Sequence, residues 1–429
     1  MMACWSLGRT LVPINYLLSR ADLEHVVRDS EIDACVTVGP MLDFMGGLPD
    51  GVRAIRIDQM HFKGMPPVSF TNPLKPDDLA VVLYTSGTSG KPKGVMLSVG
   101  NVQANVRQIR EWVRFDKRDV MLGVLPQFHS FGLTVLTLLP LAAGCKVIYT
   151  AKFVPRKLLE LALTHQPTAF VAIPSMYNAL RLTRDADPTA FAALRFAVSG
   201  GEPLAQSVFD GFKERFGIEI NEGYGLTETS PVSHWCRPQE QKRGWVGRAV
   251  PQVEVRIVGA DGKDRGPDED GEVRLRGPNI MQGYLHLPQE SAAAFDEQGF
   301  FRTGDMGRQD KDGRLAITGR LKEMLIVAGE NVFPREIEEV INRHPSVKDS
   351  AVIGSSDPSR GEVPIAFVEL KEGAILDEQS IKAHCRSELA GFKVPREVRC
   401  VEALPRNPTG KILRRKLAPL LQTPATRQI

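Results

Sequence analysis

Apolar and polar positions follow two rhythms along this chain. Residues 79–84 (LAVVLY), 168–173 (TAFVAI) and 194–198 are short continuous apolar runs, the pattern of buried strands. Between them, Val99, Val102, Val106, Ile109 and Val113 recur at helical spacing, and further helices are predicted from Pro174 and over 203–216. Strand and helix in turn predict an α/β fold with a largely parallel sheet. After about residue 244 the texture changes. Shorter strands at 253–258, 271–277 and 314–318, joined by turns such as ADGKDRGPDEDGE, predict an antiparallel β subdomain over about 245–319. From 320 to 429 a third pattern begins. Pro334 sits at a first helical turn with Ile337, Val340 and Ile341 on one face. Strands at 348–353 and 365–370 and a helix near 377–389 complete a small α+β domain. The expected whole is a large amino-terminal domain of layered α/β subdomains, 1–319, followed by a small α+β one.

Composition narrows the class. With 429 residues, two or three domains are expected, and 42% apolar and 24% charged residues are ordinary globular values. A net charge of +3 gives no argument for nucleic acid or an anionic membrane. The six cysteines show no CxxC and the eight histidines no HExxH, so neither a zinc site nor a disulfide framework is expected and a cytoplasmic location fits. No run reaches the roughly 20 apolar residues of a membrane helix; the nearest, 131–145, is interrupted by Pro140. Peripheral membrane contact stays compatible with this. The amino terminus lacks the basic start and cleavage site of a signal peptide.

The candidate chemistry starts directly after the first buried run. Thr85, Ser86, Gly87, Thr88, Ser89, Gly90, Lys91 and Lys93 place hydroxyls, glycines and lysines in one loop. Glycines let backbone amides approach phosphate oxygens, hydroxyls donate and lysines supply charge. The loop is not a Walker A motif, since Thr85 replaces the first glycine and Pro92 follows Lys91, and no GxGxxG is present. By composition alone a surface turn stays open.

The full string YTSGTSGKPKGV at 84–95 resembles the phosphate-binding signature of the adenylate-forming superfamily. GYGLTETSP at 223–231, FRTGD at 301–305, GRLKEMLIVAGENVFPREIE at 319–338 and PRNPTGKILRRKL at 405–417 resemble its further signatures, in the same order. The resemblance implies that ATP activates a carboxylic acid as an acyl-adenylate and that a thiol, that of CoA, then takes the acyl group. It implies that the loop 85–93 holds the β- and γ-phosphates. Gly223, Tyr224 and Gly225 would flank adenine with Gly201 and Glu202. Thr227 would bond the α-phosphate and Glu228 would help to bind Mg²⁺. Asp305 and Arg320 would hold the ribose, and Lys411 would bridge the carboxylate and phosphate. Lys322 would be the hinge and Gly329 would leave room for the pantetheine arm. His129 would line the acyl site, with residues 133–141 either walling it or forming plain core. Arg414, Arg415 and Lys416 read as a solvated basic face.

Three departures stand out. Relatives carry roughly a hundred more residues before the stretch that opens this chain, within the usual domain size. Ile326 stands where luciferase-like relatives have lysine, and SVGN at 98–101 replaces THxN. The FHSFG and GEVRLRGPNIMQGY strings lean towards a fatty acid–CoA ligase. A ligase for acyl carrier protein, a synthetase coupled to an acyltransferase, and a truncated non-catalytic binding protein remain as alternatives.

Overall fold

The computed structural model describes residues 1–65, 73–85, 91–406 and 410–422. Near the amino terminus β1 (Ala34–Thr37) and β2 (Arg53–Arg56) form a small parallel pair. β3 (Leu79–Thr85) and β4 (Lys93–Ser98) pair antiparallel. The run at 79–84 is therefore a buried strand, but outside the parallel sheet. Between Thr85 and Lys93 there are too few residues for a parallel crossover, which needs about a dozen or more.

β4 leads into the helix Val99–Val113, where Ser98 and Asn101 cap each other. The Ser98 hydroxyl accepts from the Asn101 amide at 3.1 Å, and the Asn101 side chain accepts from the Ser98 amide at 2.9 Å. SVGN thus has a local function, the satisfaction of amides that a helix start leaves unpaired.

The central sheet contains β5 (Val120–Gly123), β6 (Lys146–Tyr149), β7 (Ala169–Ala172), β8 (Phe196–Ser199), β9 (Asn221–Gly225), β10 (Val232–Trp235) and β11 (Arg248–Ala249). Its order is β11-β10-β9-β8-β7-β5-β6. β5 to β9 are parallel to one another, and β10 and β11 add antiparallel at one edge. Every residue of β7 and β8 is buried, as strands covered on both faces require. Helices Pro174–Leu182 and Gln206–Phe216 pack through an aromatic cluster: Tyr177 meets Phe170 at 5.1 Å and Phe212 at 5.0 Å, and Phe212 meets Phe216 at 4.8 Å between ring centroids. The apolar run after His129 forms consecutive helical turns, with Val135, Leu136 and Leu139 fully buried in this same core. Those three side chains belong to the core.

β12 (Glu254–Val258), β13 (Gly271–Arg276), β14 (Gly283–Tyr284), β15 (Phe301–Gln309) and β16 (Leu315–Arg320) follow. β14 returns to pair with β4, and the other four form an antiparallel sheet of order β12-β13-β15-β16. Past Arg320 comes a separate unit. β17 (Leu325–Val327), β18 (Glu330–Val332), β19 (Val347–Asp357), β20 (Gly361–Leu370) and β21 (Glu397–Cys400) form its sheet. The helix Pro334–Ile341 buries Ile337, Val340 and Ile341, and Glu378–Glu388 buries Ile381 and Cys385, on a common core with β19 and β20. No described helix is long and apolar enough to cross a membrane.

The aromatic cluster carries a direct expectation. Phe212→Ala removes a fully buried ring that touches three others. It is expected to cost about 3–5 kcal/mol, read as a lowered urea midpoint at unchanged slope.

Candidate active site

The site lies where the carboxyl ends of β7, β8 and β9 meet β15, β16 and the carboxy-terminal loop, the usual ligand position in open α/β sheets. β9 delivers Gly223, Tyr224 and Gly225, and a short turn at Thr227–Thr229 follows. Gly225 has no substitute here, since a Cβ would fall 1.8 Å from the Pro231 carbonyl oxygen. Gly201 follows β8 in the left-handed region, φ +84°, where glycine is favoured. Beside it, Gly200 would bring a Cβ to 3.1 Å from the Phe131 ring.

Asp305 joins the two sheets. It is 2% exposed, in β15 opposite Arg320 of β16. Its Oδ2 accepts from the Tyr224 hydroxyl at 2.6 Å, and its Oδ1 faces Arg320 Nε at 3.0 Å. A carboxylate has about four lone-pair sites, so two donors leave room for others. FRTGD thus belongs to a strand and not to an isolated turn. Its turn-like composition answers to Gly304, whose φ of +68° kinks the strand just before Asp305.

Thr227 and Glu228 are held from outside their own segment. Thr227 Oγ1 lies 3.3 Å from Ser130 Oγ, and Glu228 Oε1 accepts from the Tyr284 hydroxyl at 3.1 Å. Desolvation raises the Glu228 pKa, with the Tyr284 bond and Arg320 pulling it back. Asn279 donates to the carbonyls of Thr229 at 2.8 Å and Val232 at 3.2 Å, and so fixes the turn that carries this pair.

Lys411 enters from the carboxy-terminal unit. A Cβ on its neighbour Gly410 would lie 3.1 Å from Ile173 Cδ1 and 3.3 Å from Ser175 Oγ, which shows how closely the loop sits on the large domain. Desolvation and then Arg320 lower the Lys411 pKa, while Glu323, Asp305 and Glu202 oppose them. The same charge reaches His129, whose pKa falls through desolvation first and Lys411 second. His129 is solvent-accessible yet set deep among protein atoms, and its Nδ1 accepts from the Phe131 amide at 3.3 Å. Glu202 has its pKa raised by desolvation, with Arg406 and Lys411 opposing. It therefore faces the carboxy-terminal loop.

The phosphate loop is described at its ends only. Ser86, Gly87, Thr88, Ser89 and Gly90 lie outside the described residues. Thr85 closes β3 opposite Lys93. Lys93 pairs with Glu290 and stands 5.5 Å from the Tyr284 ring centroid, which places it beside the donor to Glu228. Lys91 is exposed. Gly329 is not part of the gathering. It turns between β17 and β18 at φ +87°, with nothing within 4 Å of a Cβ. Lys322 is exposed in a single helical turn, Leu321–Glu323.

Arg414 corrects the expectation of a solvated basic face. It pairs with Glu323 at 3.0 Å and with the buried Glu338 at 2.7 Å, and so ties the Lys411 loop to its own domain. Tyr284, Ser130 and Glu323 were not singled out from sequence. Tyr284 and Glu228 are 56 positions apart and Ser130 and Thr227 are 97 apart, so local pattern carries no trace of either pair.

Two family models match the chain: "AMP-binding enzyme" over residues 1–285 and "AMP-binding enzyme C-terminal domain" over 336–411. A sulfoacetate–CoA ligase of Cupriavidus necator is 34% identical, covering 97% of this chain and 83% of that protein. A long-chain-fatty-acid–CoA ligase of Bacillus subtilis is 37% identical, over 79% of this chain and 61% of that protein. Among solved structures, ATP-bound MatB from Rhodopseudomonas palustris is 31% identical, with a TM-score of 0.89 over 98% of this chain and 85% of its own. The apo form of that protein, over the same shares, gives 0.78.

Asp305→Ala removes the acceptor between Tyr224 and Arg320. It is expected to raise the Kd for ATP by about tenfold or more in isothermal titration, the loss of at least one hydrogen bond to a charged group. An unchanged Kd would remove Asp305 from the nucleotide site.

Proposed function

The chain belongs to the AMP-binding enzyme family, an AMP-forming acid–thiol ligase that uses ATP and CoA, and on that premise we propose that it activates a fatty acid and passes it to CoA. In the first half-reaction a carboxylate oxygen attacks the α-phosphorus, the bond to the bridging oxygen breaks and pyrophosphate leaves. In the second, a thiol sulfur attacks the acyl carbon and gives up its proton. AMP leaves with the electron pair of the acyl–oxygen bond.

The observation that carries this reading is the position of Lys411. Its loop packs on Ile173 and Ser175, it feels the charge of Asp305, and its own charge is felt by Glu202 and His129. An anion approaching a polyanion needs a fixed cation where charge concentrates, and a desolvated lysine provides it without solvent reorganisation. Tyr224 and the Gly200–Gly201 turn bracket space for adenine, and Asp305 with Arg320 supplies acceptor and donor for the ribose. Thr227 offers a hydroxyl to the α-phosphate, and Lys93 with the loop 85–91 serves the β- and γ-phosphates. His129, its pKa lowered by desolvation and by Lys411, lines the acyl side as a hydrogen-bonding ring.

Glu228 is a desolvated carboxylate whose side-chain partner among the described residues is a neutral tyrosine. Such a group fits a hard divalent cation, Mg²⁺, which would neutralise phosphate charge when bound. The proposed boundary falls at residue 320, with Lys322 as hinge. The carboxy-terminal unit then turns between half-reactions, withdrawing Lys411 and bringing Gly329 towards the thiol. The higher TM-score to the ATP-bound relative than to its apo form supports the adenylating arrangement as the one seen here. For the acid, apolar Phe131 and Ile173 at the Gly200 and Gly410 approach support a fatty acyl chain, as does the fatty-acid ligase relative.

Pyrophosphate release is the test, with palmitate, octanoate, sulfoacetate and ferulate, each with and without CoA. Release is expected to be greatest with the two fatty acids, and acyl-CoA to form when CoA is present. No release with any acid would overturn the activity, preference for sulfoacetate or ferulate would overturn the substrate, and product only with an added carrier protein would change the acceptor. Lys411→Ala is expected to slow adenylation at least about 100-fold, the scale of losing one preorganised donor. Thiolation of a supplied acyl-adenylate should fall far less, and equal losses in both would remove the assigned role.

A further inference from the structure

Arg335 joins the two domains away from the reacting groups. It is in the first turn of the helix Pro334–Ile341, past the proposed hinge, and its side chain is 14% exposed. Its Nη1 donates to the carbonyl of Ile317 at 2.6 Å. Ile317 belongs to β16, the edge strand of the antiparallel sheet in the large domain. The helix also braces the guanidinium, through Nε to Glu339 at 3.0 Å one turn on. A carboxylate across the interface also feels its charge. The carboxylate of Glu222, buried directly before Gly223 and Tyr224, has its pKa raised by desolvation and held back first by Arg243 and then by Arg335. Arg243 and the Gly244 amide bind Glu222 from within the large domain, while from the carboxy-terminal side Arg335 favours its carboxylate and Glu339 of the same helix opposes it.

We propose that Arg335 is a pose-selecting clamp: it holds the carboxy-terminal domain in the arrangement that presents Lys411, and lets go when that domain turns. The inference rests on the two-step reading above. Arginine suits the position, because its fork can meet a carbonyl and its own helix's carboxylate together while its charge serves Glu222. Breaking the clamp costs the charge-assisted hydrogen bond to Ile317. The arrangement for adenylation is favoured by that amount, and the arrangement for thiolation is not. Arg335 is therefore a positioning residue, and its loss divides the two half-reactions.

The experiment compares wild type, Arg335→Ala and Arg335→Lys in three measurements. Acid-dependent ATP–pyrophosphate exchange is expected to fall about tenfold in the alanine variant and to recover in part with lysine, as a charge-assisted bond predicts. Conversion of a supplied acyl-adenylate by CoA is expected to stay unchanged or rise. Tryptic cleavage after Lys322, read without any substrate, is expected to quicken in the alanine variant because the domain leaves its dock more often. Equal losses in both half-reactions, or unchanged exchange in the alanine variant, would overturn the clamp. So would an unchanged cleavage rate, which decides the matter even if wild type shows no exchange with any acid. That last result would overturn the proposed function separately.

Discussion

Asp305 is a carboxylate with almost no contact with water, and it survives there because two donors reach it from different directions. Tyr224 comes from the end of the central sheet, and Arg320 from the next strand of the antiparallel sheet. A buried charge left unpaired costs several kcal/mol, so the two sheets cannot drift apart without exposing that cost. The tie sets the distance between the end of the central sheet and the antiparallel sheet. It also fixes Arg320, the last residue of β16 and a cation that tunes both Glu228 and Lys411.

From that anchor the carboxy-terminal unit is positioned by contacts of three kinds. Near the chain crossing, a side chain on Gly319 would meet the Phe333 ring at 2.6 Å, so the first turn of the unit is tightly seated. At the far end, Gly410 lies against Ile173 and brings Lys411 with it. Inside the unit, Arg414 joins the Lys411 loop to Glu323 beside the hinge and to Glu338 in the helix. The Lys411 loop is therefore tied to the rest of its unit, and on the proposed reading the lysine travels with that unit.

Much of this was legible in the sequence, and what was not has a common cause. The helix Val99–Val113 and the helix starting at Pro334 followed from apolar spacing, because each buries one face on a single core. The motifs named Tyr224, Asp305 and Arg320, which contact one another, and Thr227, Glu228 and Lys411, of which Arg320 acts on the last two. The antiparallel return of β3 into β4 was missed, since a buried strand reads alike whichever way its partner runs. The partners of Glu228 and Thr227 were also missed. Arg414 was misread because Glu338, 76 positions away, is invisible from its own neighbourhood, and three consecutive basic residues look solvated until a buried carboxylate is found beside one of them. Pattern reports what a residue shares with its neighbours in the chain. Charge compensation is settled by neighbours in space.

The seat of Gly410 on Ile173 has a consequence for direction. A group that lowers the barrier for a carboxylate attacking phosphorus lowers it equally for pyrophosphate attacking the adenylate, so a lysine left in place would catalyse the return journey as well. On the proposed reading the loop that carries Lys411 also covers the acyl side, so one displacement both uncovers the intermediate and removes the charge that would undo it. The lid then acts as a ratchet: opening it disarms the backward path before the forward acceptor arrives.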